Sequence, residues 1–121
     1  MIETIPSEDT EQMYFVQWVR REFKDVRILA IPNGGARHPA VAMKLKLGGV
    51  SAGVPDLCIP AWHLWIEMKK QKGGVLSKDQ KSWIAYLEKC CDSVIVGRGC
   101  EDAKRQVLLF LQDRNNKLAQ H

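Results

Sequence analysis

The sequence predicts a single α/β domain, a central mixed sheet flanked by helices, with elements in the order α-β-α-β-β-α-β-α. Three observations carry this. Apolar residues recur at helical spacing in segments that open on capping signals. Short β-rich runs bounded by Pro and Gly lie between those segments. Two such runs follow one another across the short turn Pro60-Ala61-Trp62-His63. At 121 residues, with 45% hydrophobic and 26% charged, the chain has the size and composition of one domain with its own core.

Taken in order, Ser7 is an N-cap followed by Glu8 and Asp9 in a first turn. Phe15, Val16, Val19 and Phe23 then recur at helical spacing, and this helix should fade near Lys24-Asp25. Arg27 to Ile31 suits a short strand ended by Pro32, and Pro32-Asn33-Gly34-Gly35 is a turn. Pro39 opens and Gly48-Gly49 closes a short helix over residues 38 to 47 that carries Lys44 and Lys46. Strands are expected near 54–59 and 64–70, followed by a flexible loop at Lys72-Gly73-Gly74.

Ser77-Lys78-Asp79-Gln80 fits a capping box, opening a helix with Trp83, Ile84, Leu87 and Cys91 on one face. Residues 93–96 form a further strand, ended by Gly97. The last helix spans about 101–112 with Val107, Leu108 and Leu111 as its stripe, and the polar tail 113–121 should fray. Trp18, Trp65 and Trp83 have core-like spacing, while Trp62, in a turn, is expected at the surface.

Charge and cysteine usage narrow the function classes. The net charge of +4 leans toward an anionic partner. No apolar run approaches the ~18 residues of a membrane span, and Met1-Ile2-Glu3 lacks a signal-peptide pattern, so a cytoplasmic protein is expected. There is no Cys-x-x-Cys pair and no matching His-x₃-His, which argues against zinc. Cys58, Cys90, Cys91 and Cys100 read as buried thiols of a reducing compartment. His38, His63 and His121 form no ligand or nucleophile pattern.

The chemistry concentrates in the two middle runs, Gly53-Val54-Pro55-Asp56-Leu57 and Trp65-Ile66-Glu67-Met68-Lys69. If both are strands, alternation puts Trp65, Glu67 and Lys69 on one face and Leu64, Ile66 and Met68 on the other. Folding them together brings Asp56 beside Glu67 and Lys69. Two carboxylates and an ammonium then share one patch, and carboxylates are the ligands that Mg²⁺ and Mn²⁺ prefer. That equipment suits metal-assisted cleavage of a phosphodiester. A solvated strand face would also alternate Glu and Lys. Against it, Trp65 and Ile66 argue for a buried strand, where unpaired charge is costly. Asp56 sits on the matching face, and the first helix can supply a third carboxylate.

Several patterns occur together in order: Ile31-Pro32-Asn33-Gly34-Gly35-Ala36-Arg37; Leu45-Lys46-x-Gly48-Gly49-Val50-x-x-Gly53-Val54-Pro55-Asp56-Leu57; Ile66-Glu67-Met68-Lys69; and Ser77-x-x-Gln80-x-x-Trp83. This combination resembles the VRR-NUC nucleases of the PD-(D/E)xK superfamily, in their compact stand-alone phage and bacterial form, from about Glu8 to Leu111. The resemblance implies a restriction-endonuclease-like core and catalytic roles for Asp56, Glu67, Lys69 and Gln80. It implies metal ligation by Asp56, Glu67, the backbone carbonyl of Met68 and a first-helix acid, Glu8, with Glu11 as the alternative. Gln80 is equally the N3 residue of the capping box, so capping alone also explains it.

Arg37, in a Gly-rich turn, suits a phosphate contact. Lys44, Lys46, Lys70 and Lys72, with Lys78 and Lys81, could track a nucleic-acid backbone. With that resemblance, the expected activity is a Mg²⁺- or Mn²⁺-dependent DNA endonuclease that the family likeness implies to be structure-specific, resolving four-way junctions as a homodimer. A flap or nonspecific, restriction-type nuclease, or a non-catalytic nucleic-acid-binding module, are the alternatives.

Overall fold

The computed structural model of the chain describes residues 4–32 and 38–120. Its elements are α1 (Glu8–Glu22), β1 (Leu29–Ala30), α2 (Pro39–Leu47), β2 (Leu57–Ile59), a 3-10 turn (Pro60–Trp62), β3 (Leu64–Lys69), α3 (Lys78–Lys89), β4 (Ser93–Arg98) and α4 (Cys100–Ala119). The four strands form one mixed sheet in the spatial order β1-β2-β3-β4. β2 pairs antiparallel with both β1 and β3, and β3 pairs parallel with β4. A parallel pair needs a crossover, and α3 supplies it. No helix among the described residues is long and apolar enough to cross a membrane.

The core lies between the sheet and the pair α1 and α4. Leu57, Ile59, Leu64, Ile66 and Met68 meet Phe15 and Val19 of α1 and Ala103 and Val107 of α4. Alternation along β3 accounts for its three core residues at every second position. Gly97 of β4 packs against Ala103, since a Cβ on Gly97 would come within 2.7 Å of the Ala103 Cβ. A helix can approach the strand that closely only where both residues are small.

Several expectations are corrected. β1 and β2 are shorter than their apolar runs, because Pro32 and Pro55 lack the N–H that a ladder needs and Gly53 turns the chain at φ +88°. In the Lys72-Gly73-Gly74 loop the Gly74 carbonyl accepts from Arg98 Nη1. The tail does not fray from Asp113. Residues 113–119 contain no Gly or Pro and extend a helix already nucleated, so α4 runs to Ala119. The buried stripe of α4 is Cys100, Ala103 and Val107, which turns Leu108 outward.

Trp62 is half-buried rather than exposed. Its ring meets Phe23 edge to face at 5.0 Å, the end of an aromatic run through Trp18. All four cysteines are free, but only Cys58 and Cys100 are buried. Cys90 and Cys91 cap and follow α3 at the surface.

The Gly97–Ala103 contact gives a direct packing test. Gly97→Ala should lower stability by about 1–3 kcal/mol through overpacking. Because Ala103→Gly makes room for the added methyl, the double variant should lose less than the two single losses added together, as read from urea midpoints.

Candidate metal centre

The site is built where β3 leaves the middle of the sheet. With β2 on one side and β4 on the other, β3 is shielded along both edges, and Glu67 is only 2% exposed despite its charge. Lys69, two residues on and therefore on the same face, is buried as well. Met68 points the other way into the core, and its backbone N–H donates to Asp56 Oδ2 at 2.7 Å. Asp56 lies one residue before β2, so its side chain continues the β2–β3 pairing past the last ladder residue. The Ile31 N–H donates to the Asp56 carbonyl at 2.8 Å, which pins the same residue from the β1 side.

α1 brings the third acid. Glu8 is its first residue, following the N-cap Ser7, whose hydroxyl accepts from the Thr10 N–H at 3.2 Å. Carboxylate oxygens of Glu8, Asp56 and Glu67 all lie within 4.8 Å of one another. Three negative groups so close, one of them dry, cannot all stay ionised without a cation. Burial is the largest cause pushing the Glu67 carboxyl up, to about 9, followed by its hydrogen bond to Asp56 and the Asp56 charge. The Lys69 ammonium pulls it back only in part. Glu8 is also raised, first by burial and then by the charge of Asp56. An all-oxygen donor set that holds a proton for want of a counter-charge fits a hard divalent cation of the Mg²⁺ or Mn²⁺ class.

Lys69 is held from α3. Its Nζ donates to Gln80 Oε1 at 3.0 Å. The same oxygen accepts the Ser77 N–H at 2.8 Å, while Ser77 Oγ accepts the Gln80 N–H at 3.1 Å, a complete capping box. The two readings of Gln80 are therefore both realised, because one carbonyl oxygen takes two donors. Gly53 sets the distance between α3 and the loop leading to Asp56: a Cβ there would come within 2.7 Å of the Gln80 nitrogen and the Asp79 Cβ.

Glu11 is not part of the cluster. It is buried, with Oε2 accepting the N–H of Cys100, the first residue of α4, and Oε1 accepting Gln71 Nε2 at 3.1 Å. The N-cap of α4 is Gly99, which has no side chain to cap with, so an acid 89 positions earlier does the capping. Gly99 stands at φ +89°, and a Cβ on it would strike the Glu11 carboxylate. Sequence reasoning missed this role and that of Gln71. The one available signal was a glycine at a helix start.

Among the expected nucleic-acid contacts, Lys44 and Lys46 are exposed on α2, a helix that buries none of its residues. Lys70 and Lys72 are exposed just beyond β3, and Lys78 and Lys81 on the first half of α3. None of these six enters an ion pair among the described residues. Arg37 and the turn at 33–37 lie outside the described residues.

Known proteins resemble the chain in family and fold. The family described as the VRR-NUC domain matches residues 1–100. A solved structure described as a VRR_NUC domain protein has a TM-score of 0.75 and 28% sequence identity, covering 91% of this chain and 92% of that one. No protein of curated function matches the chain.

The raised Glu67 carboxyl has a pH consequence with a fixed sign. Without divalent ions the folded state holds a proton that the unfolded state releases near 4.5, so stability should fall as pH rises from about 4.5 to about 9. Thermal melts in a chelating buffer should show that fall. Glu67→Gln should flatten it, and saturating Mg²⁺ should remove it while releasing a proton measurable by calorimetry. A melt equally pH-dependent in Glu67→Gln would assign the slope to other groups.

Proposed function

The chain belongs to the VRR-NUC family of nuclease-type domains, and from that membership we propose that it is a metal-dependent DNA endonuclease acting on branched substrates. The observation that carries this reading is the convergence of Glu8, Asp56 and Glu67 within 4.8 Å beside a buried, hydrogen-bonded Lys69. Glu8, Asp56 and Glu67 would hold Mg²⁺ or Mn²⁺, with the Met68 carbonyl as a further ligand. A divalent ion bound there lowers the pKa of a coordinated water and offsets charge developing on the phosphate.

The chain's own residues do the rest. Glu67 gives up its proton to become a ligand, so the site is completed only when its anionic form is wanted. Lys69, fixed by Gln80, orients the attacking water or neutralises a non-bridging phosphate oxygen. Arg37, Lys44, Lys46, Lys70 and Lys72 would follow the phosphate backbone, an attraction that weakens as salt rises.

One active site per small domain, set against a junction whose resolution needs two cuts, favours a two-fold homodimer. α2 supports this reading, because it exposes Val41, Met43 and Leu47 and none of its residues is fully buried among the described residues.

Two predictions test the assignment. Glu67→Ala or Asp56→Asn should cut cleavage at least ~10²-fold, since charge stabilisation of this kind is worth several kcal/mol. Above about pH 9, where Glu67 would otherwise be charged, neither should lower the metal-free melting temperature, because each removes one of the crowded carboxylates. Lys69→Ala should abolish turnover and spare Mn²⁺ binding, whereas exposed Lys70→Ala should weaken DNA affinity only. Retained cleavage in Glu67→Ala sinks the site.

The second concerns substrate and assembly. In a gel assay on duplex, flap and four-way DNAs with Mg²⁺ or Mn²⁺, paired cuts in the four-way junction are expected, with plain duplex left largely intact. Light scattering should give a dimer at micromolar concentration. A monomer that nicks flaps singly would replace the junction reading with a flap nuclease.

A further inference from the structure

The outward side of α3 carries an aromatic pair that the chemistry at the carboxylates leaves unused. Trp83 and Tyr86 meet edge to face with ring centroids 5.5 Å apart, and with Ser82 they line a shallow open hollow. Tyr86 is 57% exposed, a large ring half in water on a helix whose other side is packed. Edge-to-face contact with Trp83 fixes the orientation of the Tyr86 ring and leaves a π-face open.

The surroundings of the pair are cationic. Lys78, Ser82 and Tyr86 follow one another at i, i+4 spacing and Lys89 comes three residues later, so all four share one stripe. Glu88 stands off it, whereas Asp79, four residues before Trp83, lies on the side of the aromatic pair. Neither Lys78 nor Lys89 enters an ion pair among the described residues. Gln80, which holds Lys69, is on the inner side of the same helix. From Gln80 to Tyr86 is six residues, about 9 Å along the axis. That is about three stacked nucleotides at 3.4 Å each.

A flat exposed ring with one ammonium about a turn after it and another about two turns before it suits a nucleobase on a strand whose phosphates run along the helix. It does not match a second copy of itself, because two-fold pairing of the stripe would set Lys78 of one chain against Lys89 of the other. We propose that the α3 stripe is a stacking platform for an unpaired base of the DNA substrate, with Tyr86 taking the base, Lys89 a phosphate beside it and Lys78 a phosphate farther along the strand. Bases inside a duplex have both faces covered by their neighbours, so only a flap, gap or open branch offers one. The platform thus supplies a physical basis for choosing branched over continuous DNA. It rests on the nuclease reading for the identity of its ligand.

The test is binding without cleavage. Fluorescence anisotropy in a chelating buffer compares a short labelled oligothymidine with a blunt duplex of equal length. Tyr86→Ala should weaken the single strand by ~5- to 100-fold, the range expected for losing one base–aromatic stack. It should change duplex affinity less than ~2-fold, and Tyr86→Phe should bind like the parent. Lys78→Ala with Lys89→Ala should lower the slope of log affinity against log salt by roughly two phosphate contacts.

Equal losses on both DNAs, no loss on either, or no single-strand binding by the parent protein would overturn the proposal. So would a change of oligomeric state in Tyr86→Ala, which would make the stripe a self-association face. Cleavage is not read, so failure of the nuclease assignment would show separately, as undiminished cutting by Glu67→Ala.

Discussion

A carboxylate buried in the central strand is the constraint from which the rest of the site follows. Glu67 sits where neighbouring strands exclude water, and an ion there costs several kcal/mol unless something compensates it. Lys69 on the same strand face supplies one positive charge, but Asp56 and Glu8 add two negative ones. The balance stays negative, and the surplus is met by a proton that Glu67 holds up to about 9. Binding a cation and holding that proton are therefore alternatives for the same oxygens. This arrangement is poor for stability on its own. A fold seeking only a stable strand would place an apolar residue at this position.

α1 carries the consequence to the other side of the molecule. Its first turn offers acids at 8, 9 and 11, all favoured there by the helix dipole, and structure sorts them by what each can reach. Glu8 turns to the carboxylate cluster, and Glu11, one turn along, is clamped onto the N-terminus of α4. A charged hydrogen bond buried at that depth leaves α1 little freedom to slide or rotate. The Gly99 N–H donates to the Lys69 carbonyl at 2.9 Å, so the same node ties down the end of β3. Glu8 and the strand that carries Glu67 and Lys69 are thus referenced to one fixed point.

What could be read from residues alone divides along a physical line. Caps, periodicities and the period-two placement of Glu67 and Lys69 are local properties, and the order of all eight main elements followed from them. The capping box at Ser77 and Gln80 was legible for the same reason. Strand lengths were not, because pairing depends on which N–H groups find partners across the sheet, and Pro55 and Pro32 withdraw theirs. The role of Glu11 was illegible because its partner is 89 residues away and is a backbone N–H, which leaves no mark in side-chain identity. The outward turn of Leu108 and the half-burial of Trp62 depend on where α4 and Phe23 come to rest, which periodicity does not specify. Length of α4 was misjudged by weighing polarity above the absence of helix breakers.

α3 shows how few independent parts the site has. As the crossover between two parallel strands it must run back over the sheet. Its first turn must then pass the loop before Asp56, and Gly53 allows that passage by having no side chain. Gln80 lies in that turn and spends one oxygen on both the cap and Lys69. Shortening Gln80 would uncap the helix and free the ammonium together, so helix stability and the position of Lys69 cannot be separated at this residue. Gly53, the capping box and Lys69 therefore form one device in which a steric allowance fixes a helix start and the helix start fixes a charge. Motif spacing between Gly53, Asp56, Glu67, Lys69 and Gln80 is accordingly a spacing of mechanical parts, with the carboxylates and the ammonium as its working end.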